Sequence, residues 1–117
     1  MIEEKNLESH EILIWAIIKY RKGAKRAITA KKIHRMIHGR YSIRQIRAII
    51  QGLVNDLGLP IAATNHEPYG YFIPQTEEEK RAYCNNLIAR IKSIATRLRA
   101  FEKNTADGIM KQLEIFN

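Results

Sequence analysis

Four histidines, one cysteine and a run of three glutamates are the side chains from which this 117-residue chain would have to build a catalytic or metal centre. His34 and His38 stand four apart on a predicted helix, a spacing that can hold zinc from one face. The run between them is His34-Arg35-Met36-Ile37-His38, so the glutamate that a zinc protease places there as general base is missing. Cys84 alone can form neither an internal disulfide nor a cysteine-rich zinc site. Glu77, Glu78 and Glu79 fall at a predicted helix start, where acids favour the positive end of the helix dipole. No glycine-rich phosphate loop, nucleophile elbow or paired-carboxylate arrangement occurs. Neither a metal, a cofactor nor a catalytic residue is therefore expected.

The chemistry on offer is cationic, and it is concentrated. The formal charge is +8. Residues 1–20 carry two basic and four acidic groups, and residues 61–117 carry eight basic and seven acidic groups. Residues 21–60 carry ten basic groups against Asp56 alone. Such a stretch on a folded module is either the electrostatic footprint of a polyanion binder or a solvated face that favours solubility.

The elements that must position these charges follow from pattern. The chain is 45% hydrophobic and 27% charged, which suits one folded domain with an extension. Its longest apolar run, Ile12 to Ile18, is seven residues, far short of the roughly 20 that a membrane span needs. Met1-Ile2-Glu3-Glu4 lacks the positive region and apolar stretch of a secretory signal, so a cytoplasmic protein is expected. Ser9 is expected to cap a first helix running to about residue 20 and central to the core. Ala27-Ile28 suits a very short strand. Thr29 caps a second helix with Ile33, Met36 and Ile37 on one face, ending at Gly39. After a short turn at Arg40-Tyr41, Ser42 and Gln45 form a capping box for a third helix running to Leu57. Its apolar stripe is Ile43, Ile46, Ile50, Leu53 and Leu57, and its opposite face presents Arg44, Arg47, Ala48, Gln51 and Asn55. Leu59–Thr64 and Tyr69–Pro74 flank the turn cluster Asn65-His66-Glu67-Pro68 and predict a hairpin. Thr76, with Glu79 as capping-box partner, opens a long helix to about residue 103.

The expected fold is mainly α with a small β-hairpin, an α+β chain in three parts: a module at 8–75, a long C-terminal helix at 76–104 and an amphipathic tail with a short terminal helix at 105–117. Two helices joined by a tight glycine-containing turn, the second capped and basic outside, followed by a hairpin, describe a helix-turn-helix with a wing. The stretches Thr29-Ala30-Lys31-Lys32-Ile33, Ser42-Ile43-Arg44-Gln45-Ile46-Arg47, Leu57-Gly58-Leu59-Pro60-Ile61 and Tyr69-Gly70-Tyr71-Phe72-Ile73 carry the likeness. The module resembles a winged helix-turn-helix domain of bacterial and phage DNA-binding proteins, and the small size with an added helix looks like short phage or prophage proteins.

That resemblance implies double-stranded DNA as partner and a role in replication or transcription regulation by site occupancy. An α-helix fits the major groove and reads bases from its N-terminal half. Arg44, Gln45, Arg47, Ala48 and Gln51 are the expected base-reading residues, although Gln45 can equally serve only its cap. Thr29, Lys31, Lys32, Arg35, Arg40 and Ser42 are the expected phosphate contacts. The hairpin tip departs from the usual pattern in having no Arg or Lys.

Two further features concern the C-terminal part. Cys84, Leu87, Ile91, Ile94, Leu98 and Phe101 repeat at heptad spacing, a seam suited either to a homodimer or to packing on its own domain. The last residues resemble the short peptide by which bacterial replication and repair proteins dock on the DNA polymerase sliding clamp, with Gln112, Leu113, Ile115 and Phe116 in the matching places. Glu114 departs mildly from the Ser or Asp of that motif. The alternative to a DNA binder is a non-enzymatic adaptor of a replication complex that docks on the clamp.

Overall fold

The computed structural model describes residues 7–103. Its elements are α1 (Ser9–Ile18), a single 3-10 turn (Ala24–Arg26), α2 (Ala30–Met36), α3 (Ile43–Asn55), β1 (Ala62–Thr64), β2 (Gly70–Phe72) and α4 (Glu77–Glu102). Among the described residues the class is α+β, with four helices, the last of them long, and one small antiparallel hairpin. The terminal helix expected within 105–117 lies outside the described residues. Two compact units meet between Tyr83 and Cys84. The boundary expected at residue 75 coincides with the start of α4, whereas the first unit continues through Tyr83.

The core of the first unit is almost entirely aliphatic. Ile14 and Ile18 of α1, Ile28, Ile33 of α2, and Ile46, Ile50 and Leu53 of α3 are buried together with Ile61. α3 packs against both α1 and α2, which is why its 3, 4 apolar repeat is the clearest in the chain. α1 contributes one stripe to this core. Ile14 and Ile18, four apart, are fully buried, whereas Ile12 remains 41% exposed.

Local hydrogen bonds explain where the helices begin. α1 starts one residue earlier than its serine suggests: Glu8 is the cap, and its N–H donates to Glu11 Oε1 at 2.9 Å. Thr29 Oγ1 accepts the Lys32 N–H at 3.1 Å. Ser42 Oγ accepts the Gln45 N–H at 3.0 Å, and Gln45 Oε1 accepts the Ser42 N–H at 2.8 Å, closing the capping box. The connection between α2 and α3 is longer than expected, running over residues 37–42. His38 and Gly39 both take left-handed conformations there, at φ 56° and 73°. His34 Nδ1 donates to the Tyr41 carbonyl at 2.7 Å across that connection.

The hairpin is shorter than its sequence runs, pairing Ala62 with Phe72, Ala63 with Tyr71 and Thr64 with Gly70. The short strand expected at 27–28 is a single bridge on the far side of β2. Ile28 N–H donates to the Tyr71 carbonyl at 2.9 Å, and Tyr71 N–H donates to the Ile28 carbonyl at 2.8 Å. Ile73 N–H reaches the Arg21 carbonyl at 2.7 Å, and Gly23 N–H reaches the Ile73 carbonyl at 2.8 Å. β2 is thereby held on both sides.

Thr76 Oγ1 caps α4 by accepting the Glu79 N–H at 3.1 Å. The Glu79 carboxylate also reaches further than its cap. It accepts the Ala24 N–H at 2.6 Å and the Gln75 N–H at 2.8 Å, tying the first turn of α4 to the 3-10 turn. Donation from Ala24, then from Gln75, holds this carboxyl below its ordinary value of 4.5; slight burial opposes them, and Thr76 adds to the lowering. A folded pKa below the unfolded one gives stability that is complete above the unfolded value and is lost as pH falls through the folded value. Glu79→Gln is therefore expected to lower stability at neutral pH by about 0.5–1 kcal/mol, allowing for its exposure. In thermal melts the deficit should shrink as the wild-type carboxyl protonates in acid. Identical melting at neutral pH would contradict the tie.

Candidate nucleic-acid interface

The outer face of α3 emerges as spacing dictates. With Ile46, Ile50 and Leu53 turned into the core, Arg44, Gln45, Arg47, Ala48, Gln51 and Asn55 are all exposed. The capping box uses the Gln45 carbonyl oxygen and leaves its NH2 group to donate. Arg44, Arg47 and Gln51 keep their polar ends available for bidentate contacts to base edges.

The other expected contacts lie on the preceding elements. Lys31, Lys32 and Arg35 are exposed on α2, and Arg40 is exposed in the connection, 5.9 Å from the Tyr41 ring centre. Thr29 and Ser42 spend their hydroxyl oxygens on helix caps, so toward a phosphate each has only its O–H to offer. Lys22, Lys25 and Arg26, which residue pattern did not single out, are exposed around the 3-10 turn. Among the described residues the ion pairs are His10–Glu8 at 3.6 Å and Lys80–Glu77 at 3.3 Å. Neither draws on residues 21–60, so the ten cations there stand without carboxylate partners among the described residues.

α3 and the hairpin enclose two shallow grooves that share Arg47, Ala63 and Tyr71. The first, about 270 Å³, is lined by Arg47, Gln51 and Asn55 of α3 with Ala63, Tyr71 and Tyr83. The second, about 240 Å³, is lined by Thr29, Arg47, Tyr69, Gly70 and Tyr71. Arg47 borders both. Burial pushes the Tyr71 phenol above its ordinary value, with Arg47 opposing and Tyr83 adding to the shift. No local pattern of residues marks this meeting of α3 with Tyr71, because it depends on the return of the hairpin. At the hairpin tip Asn65, His66 and Glu67 are exposed, and Tyr69 is 55% exposed.

Among the described residues, His34 and His38 do not belong to any group of three close potential metal ligands. His34 is engaged with the Tyr41 carbonyl. Glu8, His10 and Glu11 do lie close enough together to share an ion, but Glu11 is already the reciprocal half of the α1 cap. Among the described residues no helix is long and apolar enough to cross a membrane. The clamp-like residues 112–116 lie outside the described residues. No protein-family model matches the chain, and neither a curated protein nor a solved structure matches it.

Proposed function

We propose that residues 8–75 form a winged helix-turn-helix module that binds double-stranded DNA with sequence preference. The observation that carries this reading is the set of ten cations between residues 21 and 60 with no carboxylate partner among the described residues. A solvated face built for solubility intersperses charges of both signs; a phosphate-binding face keeps one sign free. Lys31, Lys32, Arg35 and Arg40 hold the phosphate backbone and set the register. Arg44, Arg47 and Gln51 read base edges in the major groove, with Ala48 against a thymine methyl. The protein acts by occupancy, in replication or transcription control of the phage or prophage kind, in the cytoplasm and with no reaction of its own.

Fluorescence anisotropy with a random duplex of about three helical turns tests the module. Binding at low salt is the expected result, and no binding there would overturn the reading. Once a preferred site has been selected, Arg47→Ala is expected to weaken binding to that site by about tenfold or more while changing random-sequence binding little. Lys32→Ala should weaken both alike. Equal losses from both substitutions would remove base reading by α3.

A second reading, an adaptor docking on the sliding clamp, is favoured by Gln112-Leu113-Glu114-Ile115-Phe116. Such an adaptor has no need of the basic segment. It becomes the leading reading if the duplex experiment fails.

A further inference from the structure

α4 carries an apolar stripe that stays exposed among the described residues. No residue of the helix is buried, and Leu87, Ile91, Ile94 and Leu98 are 37%, 65%, 60% and 38% exposed. These four continue the spacing set by Cys84, which is also exposed. An aliphatic row at alternating steps of three and four is the seam of a coiled coil, in which each side chain enters a hole between four residues of a facing helix.

We infer that this seam pairs with a second copy of the same helix, parallel and in register. With Cys84, Ile91 and Leu98 at the a positions and Leu87 and Ile94 at d, Arg90 and Arg97 take the g positions, while Ile88, Ala95 and Glu102 take e. The flanks decide the orientation. In a parallel pair each g residue meets the partner's e residue five positions on. Tyr83 then meets the partner's Ile88, Arg90 meets the partner's Ala95, and Arg97 meets the partner's Glu102. One apolar pair, one neutral pair and one ion pair recur on both sides. In an antiparallel pair g faces g, which sets Arg90 against the partner's Arg97 twice over. Like charges in those places oppose association. The remaining surface of the helix, with Asn85, Asn86, Lys92, Ser93, Thr96 and Arg99, is polar and suits water. This inference rests on the residues of α4 and is independent of DNA binding.

The chain's one cysteine reports the geometry. In a parallel in-register pair an a residue faces its own counterpart, within reach of the roughly 4.4–6.8 Å between Cα atoms that a disulfide spans. Light scattering on the full chain is expected to give twice the 13.6 kDa chain mass. Mild oxidation with diamide, which takes up the two thiol hydrogens as the S–S bond forms, should convert the dimer to a covalent one on a non-reducing gel. Ile91→Glu, at an exposed position, should return the mass to that of one chain and abolish the cross-link with the helical circular dichroism retained. Arg97→Glu should weaken the dimer by setting two carboxylates together; in an antiparallel pair the same change would strengthen it. A single-chain mass at working concentration, as when residues 104–117 cover the seam instead, would overturn the inference. So would a mass above two chains, or a dimer that Arg97→Glu tightens.

Discussion

Raising salt from about 50 to about 200 mM is expected to weaken duplex binding roughly a thousandfold. The size follows from counterion release. If six of the ten cations in residues 21–60 each neutralise one phosphate, log K falls against log salt with a slope of about −5.4. Individual contacts are separable in the same titration. The double variant Lys31→Ala, Lys32→Ala should flatten the slope by about 1.8, because each lost phosphate contact removes about 0.9. Replacing Gln51 with alanine should leave the slope unchanged, since a neutral side chain releases no counterion. A slope near zero for the wild-type chain would mean that the basic segment does not meet a polyanion, whatever else α3 touches.

The second large effect concerns the fold that presents those charges. Gly70→Ala is expected to destabilise the first unit by about 3–5 kcal/mol. Gly70 sits at φ 115°, and a Cβ built there overlaps the carbonyl group of Ile28 and approaches the Thr29 nitrogen. The strained backbone contributes about 1–3 kcal/mol. Forcing Ile28 away also breaks its two hydrogen bonds with Tyr71, at about 1 kcal/mol each. Small domains are stable by only about 5–15 kcal/mol, so the melting temperature should fall by more than about 12 °C. Thr29, the cap of α2, would move with it, and duplex binding would suffer as well. Gly52→Ala is the matched opposite. Gly52 lies inside α3, and its added Cβ would stand 3.7 Å from Asp56 Oδ2, an ordinary contact. Removing a helical glycine there should stabilise by about 0.5–1 kcal/mol. The same chemical change with opposite signs separates close backbone approach from a general intolerance of substitution. Wild-type melting by the Gly70 variant would show that β2 and Ile28 do not meet as described.

What could be read from the sequence was what is local. The stripe of α3, its exposed basic face, the Ser42–Gln45 box and the Thr29 cap depend on residues within a turn or two, and the structure has each in place. α1 was harder because its apolar residues surround the helix, so periodicity could not say that Ile14 and Ile18 face inward and Ile12 outward. The reach of Glu79 to Ala24 spans 55 residues and leaves no local mark; residue types at 76 and 79 announce only the cap. The His34 contact with Tyr41 is similarly silent, because its acceptor is a main-chain carbonyl that any residue would supply. For the candidate site, the cations were legible by type, whereas the position of Arg47 beside Tyr71 arises only once the hairpin returns to α3. The α4 seam was legible as spacing, and its exposure is a property of the folded chain.

The double attachment of β2 bears on motion. A hairpin joined to its domain at one end can swing as an arm on the fast timescale of loops. Here β1 lies along one side of β2, while Arg21, Gly23 and Ile28 bind the other. Lifting the stem would have to release both sides together, which is a local unfolding event rather than a bend. Only residues 65–69 stand outside the ladder, so any fitting of the hairpin to a curved surface is confined to that tip. The stem acts as a fixed gauge beside α3, and it holds the distance between helix and tip whether or not anything is bound.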